Sequence, residues 1–197
     1  MKRTITSLLT LCLAVLTSGM LAQTQWKADT EASKVFWRGF KPTGEHHGTV
    51  VLKDGQFSVV DGKITGGEFR IDMNTITDLD MPADSEYNAK LVNHLKSDDF
   101  FGVAKHPLAT FRITAVKEEG EKKRITGDLT IKENTHPVSF LATEEWIDGR
   151  LHLKSEVFKV DRSKFDVRFK SKSFFEDLAD NFIEDDMEIS VDVTAGK

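Results

Sequence analysis

His46 and His47 stand side by side in the run Gly44-Glu45-His46-His47-Gly48. Imidazoles beside a carboxylate are donors that a transition ion takes. Neighbouring side chains of an extended segment point to opposite faces, however, so one ion rarely receives both. The run reads more simply as a solvated hairpin turn. His94 closes a helical pattern, where a cation is favoured on its own account. His106 and His136 precede prolines and read as turn residues. No His-x-x-x-His or carboxylate–histidine zinc spacing is present, and the expectation is that no metal is held.

The carboxylate pairs Asp98-Asp99, Glu144-Glu145 and Asp185-Asp186 fall at turns or strand ends, where solvated edges are expected rather than acid–base pairs. Asp72 differs because it interrupts an apolar strand. Alternation with Phe69 and Ile71 turns it outward or toward a helix, within reach of backbone amides. Nucleophile elbows, phosphate loops and dinucleotide fingerprints are absent, and no nucleophile–base–acid trio stands out. These residues mark out no chemical step. Arg162 and Arg38 remain as charged candidates at a ligand's polar end, since a guanidinium matches phosphate or quinone oxygens. The plainer reading of Arg162 is a structural pair with Asp161.

The elements that must place these groups are mostly strands. Candidate runs are Lys34–Phe40, Gly48–Lys53, Gln56–Val60, Lys63–Met73, Ala109–Lys117, Lys123–Lys132, Pro137–Trp146, Arg150–Asp161 and Asp186–Thr194. Lys53-Asp54-Gly55, Asp61-Gly62 and Asp148-Gly149 carry hairpin-turn chemistry. Phe69, Ile71 and Met73 share one face; so do Phe111 and Ile113, Leu129 and Ile131, and Met187, Ile189, Val191 and Val193. One helix interrupts the series, capped by Asp84 or Ser85, with Tyr87, Leu91 and Leu95 on one face. A second short helix is predicted over Ser173–Asp180. Regular strands with one apolar face make a sandwich or a closed barrel.

Residues 1–22 read as a secretory signal, not as fold. Lys2-Arg3 precedes an apolar run from Leu8 to Leu16, too short to span a bilayer, and cleavage is expected after Ala22. Residues 23–197 then form one domain, periplasmic or secreted. Cys12, the one cysteine, lies in the leader, so the mature chain has neither disulfide nor thiolate site. Of 27 basic side chains, all but Lys2 and Arg3 remain, 25 against 32 acidic ones. That balance argues against nucleic acid and anionic membrane surfaces as partners.

Phenylalanine outnumbers tyrosine by 14 to 1, which suits dry surfaces with few polar handles. A barrel of about eight strands is wide enough either to fill with side chains or to hold one elongated ligand. Gly39, Gly66, Gly67 and Ala142 lie on or beside strands and could leave room. Phe100-Phe101 and Phe174-Phe175 lie outside strands, where a mouth or lid would be.

Four blocks in order resemble the YceI-like family. The first is His94-Leu95-Lys96-Ser97-Asp98-Asp99-Phe100-Phe101 followed by Pro107 and Thr110-Phe111. The others are Phe69 to Ile76, Gly127 to Lys132 with His136-Pro137-Val138, and Asp161 to Phe165. The likeness runs from about Trp26 to the C-terminus. It departs at Asp166, where a glycine is common, and at Glu133-Asn134-Thr135, where many members read Gly-Val-Thr.

The resemblance implies an all-β chain with minor α content: an antiparallel, lipocalin-like barrel of about eight strands with one or two short helices. It implies a periplasmic carrier of a polyisoprenoid, quinone-like or other long-chain lipid, with no cofactor beyond that lipid. Some members occur beside or fused to membrane cytochrome b proteins, which suggests quinone handling. The implied lipid-facing residues are Val35, Trp37, Phe69, Ile71 and Met73 in the first strands. Leu91, Leu95, Phe100 and Phe101 come from the helix and its exit. Phe111, Ile113, Leu129, Ile131, Phe140 and Ile189 come from later strands, with Phe165, Phe174 and Phe175 from the segments between them. A barrel with a filled core that binds a protein partner, or an enzyme acting on a lipid, are the competing readings.

Overall fold

The period-two patterns become ten antiparallel strands in a computed structural model that describes residues 23–197. They are β1 (Thr24–Ala28), β2 (Lys34–Lys41), β3 (Gly44–Val60), β4 (Lys63–Asp72) and β5 (Leu108–Glu119), then β6 (Lys122–Ile131), β7 (Asn134–Ile147), β8 (Arg150–Ser155), β9 (Phe158–Asp161) and β10 (Asp186–Gly196). One α-helix, α1 (Glu86–Lys96), lies between β4 and β5. The proposed leader, with Cys12, lies outside the described residues.

Strands β2 to β8 pair in chain order, and β10 pairs with both β2 and β8, so the sheet closes on itself. β1 continues along β3 beyond the end of β2, and β9 continues along β10 beyond β8. The expected antiparallel barrel thus has eight strand positions, two of them each filled by a pair of short strands. Closure leaves few unpaired edges. Phe57, Ile125, Leu151 and Val167 are fully buried inside. At the end with the tight β3–β4 and β7–β8 hairpins, Trp26 meets Trp146 edge-on with centroids 4.8 Å apart. The opposite end carries α1, residues 97–107 and residues 162–185.

Three local expectations are corrected. Lys53-Asp54-Gly55 is not a turn but a bulge within β3, where the register to β4 shifts between Leu52 and Asp54. Gly55 accepts the Phe69 ring there, and Asp54 pairs with Arg70 across the strands. Pairing with β4 overrides the local turn signal. The run expected as Arg150–Asp161 breaks at Glu156-Val157 into β8 and β9. The predicted helix over Ser173–Asp180 is a series of turns with a 3-10 segment at Ala179–Asn181. Positive φ at Asp177 and Ala179 stops an α-helix from propagating.

Helix α1 begins where expected, with Ser85 Oγ accepting the Tyr87 N–H at 3.2 Å. Leu91 and Leu95 face the barrel, but Tyr87 is 73 % exposed. Asn88 takes the inward place in the first turn, because its amide donates to Asp78. Asp72 accepts from Asn74 N at 3.0 Å and caps the 3-10 turn after β4, the amide-binding role expected of it.

Candidate functional site: an apolar cavity inside the barrel

Alternation turns one face of every strand inward, and the inward faces do not meet. They enclose a cavity of about 210 Å³. Trp37 of β2, Phe57 of β3, Phe69 of β4, Phe111 of β5 and Phe140 of β7 contribute aromatic walls. Phe158 of β9 stacks on Phe140 with centroids 4.5 Å apart and planes at 14°. Leu91 and Leu95 of α1 and the Phe100-Phe101 pair lie over one end. The wall is apolar apart from four side chains, Lys41, His46, Arg162 and Glu184, all at the same end. Lys41 and Glu184 are exposed, which marks the mouth between the end of β2 and the entry to β10.

Most residues singled out from the sequence meet at this cavity: Val35, Trp37, Phe69, Ile71, Met73, Leu91, Leu95, Phe100, Phe101, Phe111, Ile113, Leu129, Ile131, Phe140 and Ile189. Phe100 and Phe101 find partners on both sides of their turn. Phe100 packs on Phe169 and lies beneath the Arg162 guanidinium, while Phe101 N bonds the last helical turn at Leu95 O, 3.1 Å. Four residues lie elsewhere. Phe165 is buried behind the wall, edge-on to His136 at 5.2 Å. Phe174 and Phe175 are 45 % and 49 % exposed, with Phe174 beneath Arg168. Arg38 alternates to the outside of β2 and pairs with Glu45 and Glu188.

Among the small residues, only Gly39 opens space: a Cβ there would meet nothing within 4 Å. Gly67 is covered by Phe69 and Ile113, and Gly66 lies against Ser58.

Arg162 is 1 % exposed and holds the mouth together. Its Nε donates to Glu184 O at 3.0 Å, Nη1 to Val167 O at 2.7 Å and Nη2 to Ile183 O at 2.9 Å. Its carboxylate partner is Asp185, at 3.3 Å, rather than the expected Asp161. Burial pulls its pKa down from the usual value, opposed by Asp185 and Asp161. A guanidinium still keeps its proton, and its donors are already engaged with the backbone. Asp185 and Glu144 are therefore partners in ion pairs, with Arg162 and Lys123, rather than solvated edges.

The histidine pair is not in a turn. His46 and His47 belong to β3, opposite Gly39 and Arg38 of β2. Only His46 faces the cavity. Its Nδ1 lies 3.0 Å from Asp80 Oδ2 and its Nε2 lies 3.3 Å from Lys41 Nζ. Asp78 is buried beside them. Burial, and then the neighbouring Asp80, push its pKa up to about 6. Burial also works against the Asp80 carboxylate, but Asp78 beside it, the hydrogen bond from the His47 amide and the His46 ring outweigh it and hold Asp80 below the usual range. These two aspartates carry no sequence signal, because they lie 32 and 34 residues beyond His46.

A YceI-like domain family model matches residues 26–195, which is nearly all of the described chain. A UPF0312 protein of Pseudomonas putida is 34% identical over 137 residues, covering 66% of this chain and 67% of that one. Burkholderia cenocepacia BcnA has a similar crystal structure: TM-score 0.67, 23% identity, covering 85% of this chain and 99% of that one. A polyisoprenoid binding domain from Saccharophagus degradans aligns with TM-score 0.60 at 12% identity, covering 90% of this chain and 99% of that one. Sequence blocks, closed sheet and family match agree, and the chain belongs to the YceI-like family.

Proposed function

We propose that this protein binds one apolar lipid chain, polyisoprenoid or quinone-like, inside its barrel and carries it outside the cytoplasm without changing it chemically. The observation that carries this reading is the cavity, walled almost wholly by aromatic and aliphatic side chains and reached past a few polar ones. Burial of apolar surface there contributes about 25 cal/mol per Å². Four polar side chains at one end suit a ligand whose tail lies inside and whose head stays at the mouth. The Saccharophagus domain of the same fold is described as polyisoprenoid binding, which favours a branched prenyl tail.

At about 210 Å³ the cavity exceeds the roughly 150 Å³ that holds benzene in an engineered core, but falls short of the roughly 300–1,000 Å³ of drug-sized pockets. A long tail therefore requires the half-buried wall, such as Trp37, Leu91 and Ile189, to yield. Native mass spectrometry of protein from its own cell envelope, followed by organic extraction, tests the proposal. A bound polyprenyl or quinone mass is expected. Protein that stays bare after incubation with such lipids would overturn it and favour a filled barrel with a protein partner.

A further inference from the structure

We propose that His46, Asp78 and Asp80 form a binding site for one divalent cation at the rim of the cavity mouth, with Zn²⁺ as the ion that fits. One donor atom from each lies within 4.8 Å of the other two. His46 Nδ1 stands 3.0 Å from Asp80 Oδ2 and 4.0 Å from Asp78 Oδ1. Ligand bonds of about 2.0–2.2 Å place neighbouring donors around a tetrahedral ion roughly 3.4 Å apart, so small side-chain shifts complete the geometry.

A second observation points to a missing cation. Among the described residues, three buried side-chain oxygens accept no hydrogen bond: Asp78 Oδ1, Glu144 Oε2 and Asp185 Oδ1. The latter two each face a cationic nitrogen, Lys123 Nζ and Arg162 Nη2, at 3.3 Å. Asp78 Oδ1 has none. The one basic nitrogen within 4.0 Å of it is His46 Nδ1, in a ring whose other nitrogen faces the Lys41 ammonium. A buried carboxylate oxygen without a partner is costly. Two carboxylates and a neutral imidazole match the charge of a divalent ion.

The ligands are also braced from behind, as metal ligands are. Asp78 Oδ2 accepts from Met81 N at 3.1 Å and from the buried Asn88 amide at 3.3 Å. Asp80 Oδ1 accepts from His47 N at 2.9 Å. One imidazole and two carboxylates suit Zn²⁺, whereas Ca²⁺ takes 6–8 oxygens. Three protein ligands leave a position for water. Metal on Nδ1 puts the ring proton on Nε2, so the exposed Lys41 must turn away. The site does not depend on whether the cavity holds a lipid.

Untagged protein stripped with a chelator and titrated with ZnCl₂ alone, by calorimetry and by metal analysis after dialysis, tests this. One Zn²⁺ per chain is expected, bound at least tenfold more weakly by both His46→Gln and Asp78→Asn, and unchanged in His94→Ala. Asp78→Asn keeps an acceptor for Met81 and Asn88, so its fold is expected to survive, as a thermal melt would verify. Less than one equivalent in wild type, or a loss below tenfold in either variant, would overturn the proposal.

Discussion

The Gly48 backbone packs directly on the carbonyl oxygen of Thr77, which also accepts the Trp37 indole N–H at 3.1 Å. A Cβ at Gly48 would overlap that oxygen and stand 2.8 Å from Trp37 Nε1. This close approach lets Thr77 N and Leu79 N bond Thr49 O and His47 O at 2.9 and 2.8 Å, which lays Asp78 and Asp80 beside His46. Gly48→Ala is therefore expected to cost about 1–3 kcal/mol, as overpacking does, and to weaken Zn²⁺ binding as well. Urea denaturation and the same calorimetry would show both.

Arg162 ties residues 167, 183 and 184 to the barrel through their carbonyl oxygens. Arg162→Met leaves Asp185 and these carbonyls unpaired, and a loss of about 3–5 kcal/mol is expected. Arg162→Lys is expected to recover little, since one ammonium cannot copy the planar fork. Denaturant midpoints measure this, and a loss below about 1 kcal/mol would contradict the role.

Gly39 is the gap in the wall of β2. Gly39→Leu points an isobutyl group into open space, so the fold is expected to be unchanged while uptake of a polyprenol or an apolar dye falls several-fold. Equal uptake with intact circular dichroism would place the ligand elsewhere.

The double variant Phe174→Ser with Phe175→Ser removes two half-exposed rings outside the cavity. Stability within about 0.5 kcal/mol of wild type is expected, with lipid retention unchanged by native mass spectrometry. A clear loss of retention would make these rings part of the entry route.

The raised Asp78 pKa has a defined sign. The folded protein holds this proton up to about pH 6, while the unfolded chain releases it near 3.8. Folding stability attributable to Asp78 therefore falls as pH rises from about 4 to 6. The Asp80 shift runs the other way and acts below that window. With a chelator present, wild type is expected to lose stability relative to Asp78→Asn across this interval. Parallel pH profiles for the two would contradict it.

Strand pairing needs only a local alternation and turn residues, so β4, β5, β6 and β10 were legible to within a few residues. The cavity wall was largely legible for the same reason: Phe69, Ile71, Phe111 and Ile113 alternate, and alternation alone decides the face. Local signals failed where a partner strand or a distant group outweighed them. Lys53-Asp54-Gly55 looks like a turn until β4 pairs along it, and Tyr87 looks inward until Asn88 claims that side by bonding Asp78.

The sequence by itself determined the alternating strands, the helix with a cap at Asp84 or Ser85 and the family, because these depend on neighbours within a few residues or on ordered blocks. Tertiary structure alone decided that the barrel keeps a cavity, since packing leaves a void only where many inward side chains fail to meet. It also decided that Arg162 braces the mouth by binding backbone carbonyls, its donors already engaged there rather than free for a ligand's polar end, and that His46 meets Asp78 and Asp80. Those contacts join residues far apart in the chain, and no period or spacing encodes a distance that only the closed sheet and the Gly48 approach create.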